Sequence, residues 1–173
     1  MTLPYVVVEA GPDALAEARG ELGSLGWRVV DRIAEGRREG GLVYALPVTN
    51  EDDAAVALFT AIEGVGLLVD AADAPRPVVD RLCDDLRRLG HLDHRVSAAG
   101  PLLSDEERAL MDLLAGGSSL GAAAAALHLS RRSADRRLAA ARAKLGADAS
   151  GQAATGQAIA SYRRRLERLP RPA

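Results

Sequence analysis

Six cationic side chains, Arg131, Arg132, Arg136, Arg137, Arg142 and Lys144, fall within one stretch of fourteen residues. A guanidinium forks onto phosphate oxygens or onto the O6 and N7 acceptors of guanine, so such density on one short element is the chemistry of DNA contact. The competing explanation is a solvated helix face with no ligand at all. The elements around the cluster discriminate between the two. Ser104 followed three residues later by Glu107 is a capping box, the stripe Leu110, Met111, Leu113 and Leu114 follows at helical spacing, and Gly116-Gly117 stops it, which predicts a helix from Asp105 to Ala115. Ser118 or Ser119 can cap a second, short helix built on Ala122 to Ala126. After a turn at His128-Leu129, Ser130 is placed to cap a third helix that starts at Arg131. At about 100° per residue, Ala134, Leu138, Ala141 and Leu145 share one face of that helix and Arg132, Arg136, Ala139 and Ala143 lie opposite.

This stretch resembles the C-terminal helix-turn-helix domain of LuxR/GerE-type transcriptional regulators. The likeness is carried by Leu103-Ser104, Glu107, Leu110, Leu113-Leu114-Ala115, Gly117, Ser119, Ala124, Leu127, Leu129-Ser130, Ser133, Leu138 and Lys144-Leu145-Gly146. It implies an all-α, tetrahelical DNA-binding domain whose third helix enters the major groove of double-stranded DNA and whose fourth supports a homodimer. The base-reading positions it implies are Asp135, Arg136 and Ala139, with Arg137 and Lys144 nearer the phosphates. Ser130, Arg131, Arg132 and Ser133 at the start of the same helix complete the expected DNA-binding set. Three positions depart from the family pattern: Ala122 replaces a glutamate, Ala123 a large aliphatic residue, and Asp135 a frequent lysine. Asp135 can accept from cytosine N4, or it can pair with Arg131 four residues earlier. A degenerate helix-turn-helix that serves protein interaction is one alternative. Another is the promoter-reading domain of sigma factors, whose last helix Arg136 to Ala143 also resembles.

Charge divides the chain. Residues 1–100 hold 10 arginines against 17 carboxylates, a net of −7, whereas residues 101–173 hold 12 cations against 7 carboxylates, a net of +5. A basic module therefore follows an acidic one that DNA repels. Lys144 is the only lysine beside 21 arginines; this usage points to a GC-rich bacterial genome and inflates the arginine count. Cys83 is the only cysteine, which excludes an internal disulfide and a cysteine-based zinc site. No basic leader and no run of about 20 apolar residues is present. The expectation is a cytoplasmic protein without a membrane partner.

The acidic half gives an α+β expectation. A strand at Tyr5 to Glu9 precedes a helix opened by Pro12-Asp13. Strands at Trp27 to Ile33 and Leu42 to Val48 flank a polar, glycine-rich loop from Glu35 to Gly41 that suggests a hairpin. Thr49 or Asn50 caps a helix with Ala55, Leu58, Phe59 and Ile62 inward. A strand at Val65 to Asp70 leads to a helix at Pro77 to Leu89 with Val79, Leu82, Cys83, Leu86 and Leu89 inward, and a short strand follows near His94. This order is that of a ferredoxin-like sandwich. A phosphoacceptor receiver domain, with Asp70 as acceptor, is the other candidate, but only Glu9 stands where such a domain keeps its acidic pair. The expected division is a ferredoxin-like dimerisation or sensing domain at 1–96, a linker at 97–101 and the helix-turn-helix domain at 102–169, closed by a helix from Ser150 to Leu169. The first domain leaves room for an effector, a small molecule or a protein. No catalytic triad, phosphate-cradling loop or metal-ligand set is present; His91 and His94 beside Asp93 read as polar surface. Neither enzymatic activity nor a cofactor is expected.

Overall fold

The computed structural model describes residues 2–32, 40–97, 102–147 and 151–173. The chain divides into two compact units, Met1–Ala99 together with Arg168–Ala173, and Gly100–Glu167. The last six residues thus belong with the first unit, where the division read from sequence carried the second domain to 169.

The first unit contains β1 (Pro4–Val8), α1 (Pro12–Ser24), β2 (Arg28–Val30), β3 (Leu42–Pro47), α2 (Glu51–Ile62), β4 (Gly66–Asp70), α3 (Arg76–Leu89) and β5 (His91–Arg95). Every strand pair is parallel, in the order β2-β3-β4-β1-β5. This corrects the expected fold. Among the described residues the chain is α/β, with one five-stranded all-parallel sheet and seven helices in a Rossmann-like arrangement, and not a ferredoxin-like α+β domain followed by an all-α tetrahelical helix-turn-helix domain. The order also differs from the 2-1-3-4-5 of receiver domains. The hairpin is corrected too, because Val29 pairs with Val43 in a parallel register; residues 35–39 of its expected loop lie outside the described residues.

The cause is visible in the strands. All five residues of β1 are buried, as are Gly66 to Val69 of β4. A sheet covered on both faces reads as continuous apolar runs, while a one-sided sheet alternates. Tyr5, Val7, Leu67 and Val69 pack beneath α2 and α3 with Val79, Leu82, Cys83 and Leu86. Val6, Val8, Val43 and Leu68 face the opposite way, on the side of α1 with its buried Ala14, Ala18 and Leu22. Right-handed crossovers require this division, since β1 connects leftward to β2 while β3 and β4 connect rightward.

On the α1 face, Arg95 donates to Glu21 at 2.7 Å and to Asp93 at 2.7 Å. Burial opposes its charge, but the two carboxylates outweigh that and hold the guanidinium above its ordinary pKa. The C-terminal segment is held by Trp27, whose indole Nε1 donates to the Pro170 carbonyl at 2.6 Å. Helix α2 departs from expectation. Ala57 and Ala61 are its buried residues, while Phe59 and Ile62 are each 63% exposed. The helix is apolar around most of its circumference, so periodicity could not choose the inner face. Leu89, also expected inward, is exposed at the end of α3.

The second unit contains α4 (Asp105–Ala115), α5 (Leu120–Ala126), α6 (Arg131–Lys144) and α7 (Gln152–Leu166). The expected cap of α7, Ser150, lies outside the described residues. No helix among the described residues is long and apolar enough to cross a membrane.

Cys83 tests the parallel core. Burial pushes its thiol up from the ordinary value of 9.0 to about 11. A group raised in the folded state contributes stability that is complete below its unfolded pKa and is lost as pH climbs through the folded one. Between about pH 9 and 11 the native protein should therefore lose up to about 2–3 kcal/mol through this group. Denaturant titrations should show that alkaline slope flattened in Cys83→Ala, whatever the variant's stability at neutral pH. An unchanged slope would place Cys83 in contact with water.

Candidate nucleic-acid interface

The serines that punctuate the second unit act as its sequence implies. Ser104 Oγ accepts from the Glu107 amide at 3.2 Å, and Glu107 Oε2 accepts from the Ser104 amide at 2.9 Å, closing the capping box of α4. Ser119 Oγ accepts from the Ala122 amide at 3.2 Å at the start of α5, and Ser130 Oγ from the Ser133 amide at 3.1 Å at the start of α6. Between α5 and α6 the chain reverses at His128, whose φ of 53° is the only positive value at a described non-glycine residue. The left-handed region costs a side chain about 1 kcal/mol.

Helix α6 buries Ala134, Leu138 and Ala141. Ala123 and Ala124 of α5 are both buried. On α7, buried Tyr162 donates from its hydroxyl to Asp112 Oδ1 of α4 at 2.5 Å, and Arg163 donates to the Ala115 carbonyl at the end of α4. A cation at a helix C-terminus also meets the negative end of its dipole.

The nine residues singled out from sequence separate into three groups. Ser130 and Ser133 are the cap of α6, with Ser130 Oγ also 2.9 Å from Ser133 Oγ. Arg137 and Lys144 are turned back into the unit: Arg137 meets Glu106 at 2.7 Å and Lys144 meets Glu107 at 2.7 Å. Arg131, Arg132, Asp135, Arg136 and Ala139 are exposed together on the outer face. There Arg131 Nε lies 3.5 Å from Asp135 Oδ2, the intrahelical pair foreseen as one role for that aspartate. Arg132 and Arg136 have no ion-pair partner among the described residues.

Sequence reasoning missed what Glu106 and Glu107 do beyond capping. Their signal was present as the acidic triplet Asp105-Glu106-Glu107, which the α4 dipole favours at its first turn. That triplet sits where α6 can use it as counter-charge.

The first unit holds a second cluster that the sequence did not bring together. At the carboxyl ends of β1 and β4 the chain leaves onto opposite faces, the switch point at which open α/β sheets bind ligands. Glu9 Oε1 there lies 2.5 Å from His94 Nε2 and 3.2 Å from Arg76 Nη1, and Arg76 Nε reaches Asp80 at 2.9 Å. His91 and His94 do not converge, because three residues along a strand point to opposite faces; His91 meets the Arg168 carbonyl instead. Asp70, the residue considered as phosphoacceptor, accepts from the Ala72 amide at 3.3 Å. Among the described residues no set of three or more His, Cys, Asp or Glu side chains is arranged to hold a metal.

No protein-family model, curated protein or solved structure matches the chain. The geometry alone therefore carries the functional reading.

Lys144 gives a direct check on that geometry. Its loss leaves the nearly buried Glu107 carboxylate without its cation, so Lys144→Met should lower the stability of the second unit by about 1–2 kcal/mol, after allowance for the lysine's partial exposure. At the turn, His128→Gly should be neutral or stabilising by up to about 1 kcal/mol, and His128→Val destabilising by at least that much. Thermal melts of the three proteins measure both. A Lys144→Met protein as stable as its parent would show that the pair is not a structural tie.

Proposed function

We propose that the protein is a sequence-reading, double-stranded-DNA-binding transcriptional regulator of the LuxR type, that it acts as a homodimer, and that it performs no catalysis. The observation that carries this is the outer face of α6, where Arg132 and Arg136 stand exposed with no ion-pair partner among the described residues. A solvated structural helix has no need to leave its arginines without counter-charge when carboxylates a few residues away already neutralise others. A short helix that presents two free forks beside small residues such as Ala139 fits the major groove, where arginine reads guanine and alanine can lie against a thymine methyl.

In this account Asp135 serves Arg131 rather than a base. It holds that guanidinium along the helix axis and leaves base contact to Arg136, with Arg132 set toward the backbone phosphates. Two copies related by a twofold axis would address half-sites about one helical turn, ~34 Å, apart. The acidic first unit, repelled by phosphates, is assigned to dimerisation and to an effector, with the switch-point residues Glu9, Arg76 and His94 as the place where a ligand would act.

Fluorescence anisotropy on genomic fragments and scrambled controls tests the assignment. Arg136→Ala should cost roughly 1–3 kcal/mol on the preferred fragment and relax its preference at one base pair. Asp135→Ala should leave the preferred sequence unchanged. Binding that is equally weak on every fragment and disappears at moderate salt would contradict base reading and favour a protein-interaction role for the same unit.

A further inference from the structure

The segment Arg168–Ala173 follows α7 in the chain but belongs to the first unit, where it lies along the amino edge of the parallel sheet. His91, the first residue of β5, donates from Nε2 to the Arg168 carbonyl, and Trp27, just before β2, donates from Nε1 to the Pro170 carbonyl at 2.6 Å. Pro172 rests against Gly26 and Gly41, where a β-carbon would come within 3.5 and 3.6 Å of its ring. Both glycines have positive φ, 95° and 79°, so the flat seat for that ring is made of backbone that other residues rarely adopt. Strands β5 and β3 are three spacings apart, ~14 Å, and the steps from Arg168 to Pro172 cover ~12 Å in a polyproline-like conformation. The segment must therefore run extended across the edge, and residues 170–173 form neither helix nor strand.

These are the contacts of a receptor for an extended peptide. Both hydrogen bonds go to main-chain carbonyls of the segment. Of its side chains, Leu169 is buried, Pro170 and Pro172 are half-buried, and Arg168, Arg171 and Ala173 are exposed. Main-chain recognition beside an aromatic side chain is how proline-rich segments are bound, and prolines lower the entropy lost on docking. Charge agrees with the fit. Helices α1, α2 and α3 each return the chain to this edge and end there, so the negative ends of their dipoles favour a segment whose only charged side chains are arginines.

We propose that this edge is a binding site for a Leu-Pro-x-Pro segment, filled in cis by the chain's own Leu169-Pro170-Arg171-Pro172, and that it releases and rebinds the segment, so that the first unit controls how firmly α7 is anchored. The connection is short, since α7 ends at Leu166, three residues before Leu169. The start of α7 is weak: its N-cap Gly151 makes no side-chain bond, and Gly156 lies within the helix. A helix of this length is marginal by itself and depends on what holds its far end. Tyr162 and Arg163, which tie α7 to α4, lie at that end. Release of the segment frays the last turn of α7 and loosens those ties, and docking restores them. No DNA takes part in this device, so it is tested independently of the DNA reading proposed above.

Energy transfer within the full chain is the test. Trp27 is the only tryptophan, Cys83 is the only cysteine and is buried, and Ala173 is exposed, so Ala173→Cys carrying a dansyl group gives a single donor and acceptor. Transfer should be high in the labelled chain. A free peptide of residues 168–173, at the millimolar level that matches a tethered segment, should lower it at least twofold. The same peptide with glycine for both prolines should not. Leu169→Asp should lower transfer likewise and speed hydrogen exchange in the last turn of α7 at least tenfold. The competition arm leaves the docking residues unchanged, so it does not depend on how that variant folds. Low transfer at the outset, or transfer unmoved by saturating peptide, would overturn the proposal by showing the segment undocked or permanently fixed. Equal competition by the glycine peptide would overturn the assignment of a proline-rich ligand. Exchange in α7 that stays unchanged when peptide displaces the segment would overturn the control of α7.

Discussion

The second unit depends on one carboxylate. Glu107 is a capping residue of α4, yet its Oε2 accepts both from the Ser104 amide at 2.9 Å and from Lys144 at 2.7 Å, with only 10% of its side chain exposed. One charge therefore fixes the start of one helix and the end of another. A charge-assisted hydrogen bond in a partly dry site is stronger than its surface equivalent, and the loss of either partner leaves the other poorly solvated. Arg137 and Glu106 repeat the arrangement a turn or two earlier along α6. Together the two ties set the rotation of α6 about its own axis, and that rotation determines which arginines face outward.

The basic character of α6 thus divides into two uses. Arg137 and Lys144 are tied inside the unit, Arg131 is engaged by Asp135, and Arg132 and Arg136 stand exposed with no ion-pair partner among the described residues. A count of the six cations on α6 overstates its unpaired outward charge by about a factor of three. The first unit solves a different problem with a related device: Arg95 is buried between Glu21 and Asp93 and ties α1 to β5 on a face where apolar packing alone would not specify an angle.

Local chemistry was legible in the sequence where it is carried by neighbouring residues. Ser104 with Glu107, Ser119, Ser130, and the bounds Asp105 to Ala115 all follow from capping rules that act within one turn. What depends on distant partners was not. Strands at Trp27 to Ile33 and Leu42 to Val48 were expected, but whether they pair parallel or antiparallel depends on β4 and β1, and a short polar connection suggested the wrong answer. The runs Tyr5-Val6-Val7-Val8 and Leu67-Leu68-Val69 held the better signal, since two-sided burial suppresses alternation. Phe59 and Ile62 were placed inward because large apolar residues usually are; on a helix apolar almost all round, the small residues Ala57 and Ala61 went to the sheet instead. At the candidate site the exposed positions of Arg132 and Arg136 followed from 100° steps along one helix. The engagement of Lys144 and Arg137 did not, because their partners lie some thirty residues away in sequence.

The division of α6 into internal ties and free forks is the centre of this account, and the salt dependence of DNA affinity tests it most directly. Each phosphate neutralised by a protein cation contributes about 0.9 to the slope of log affinity against log salt concentration. Arg132→Ala should reduce the slope on a preferred fragment by about that amount, and Lys144→Met, measured at a temperature where it remains folded, should leave it unchanged. A lysine variant whose slope falls as far as that of the arginine variant would contradict the account, by showing that Lys144 leaves Glu107 for the phosphates when DNA binds.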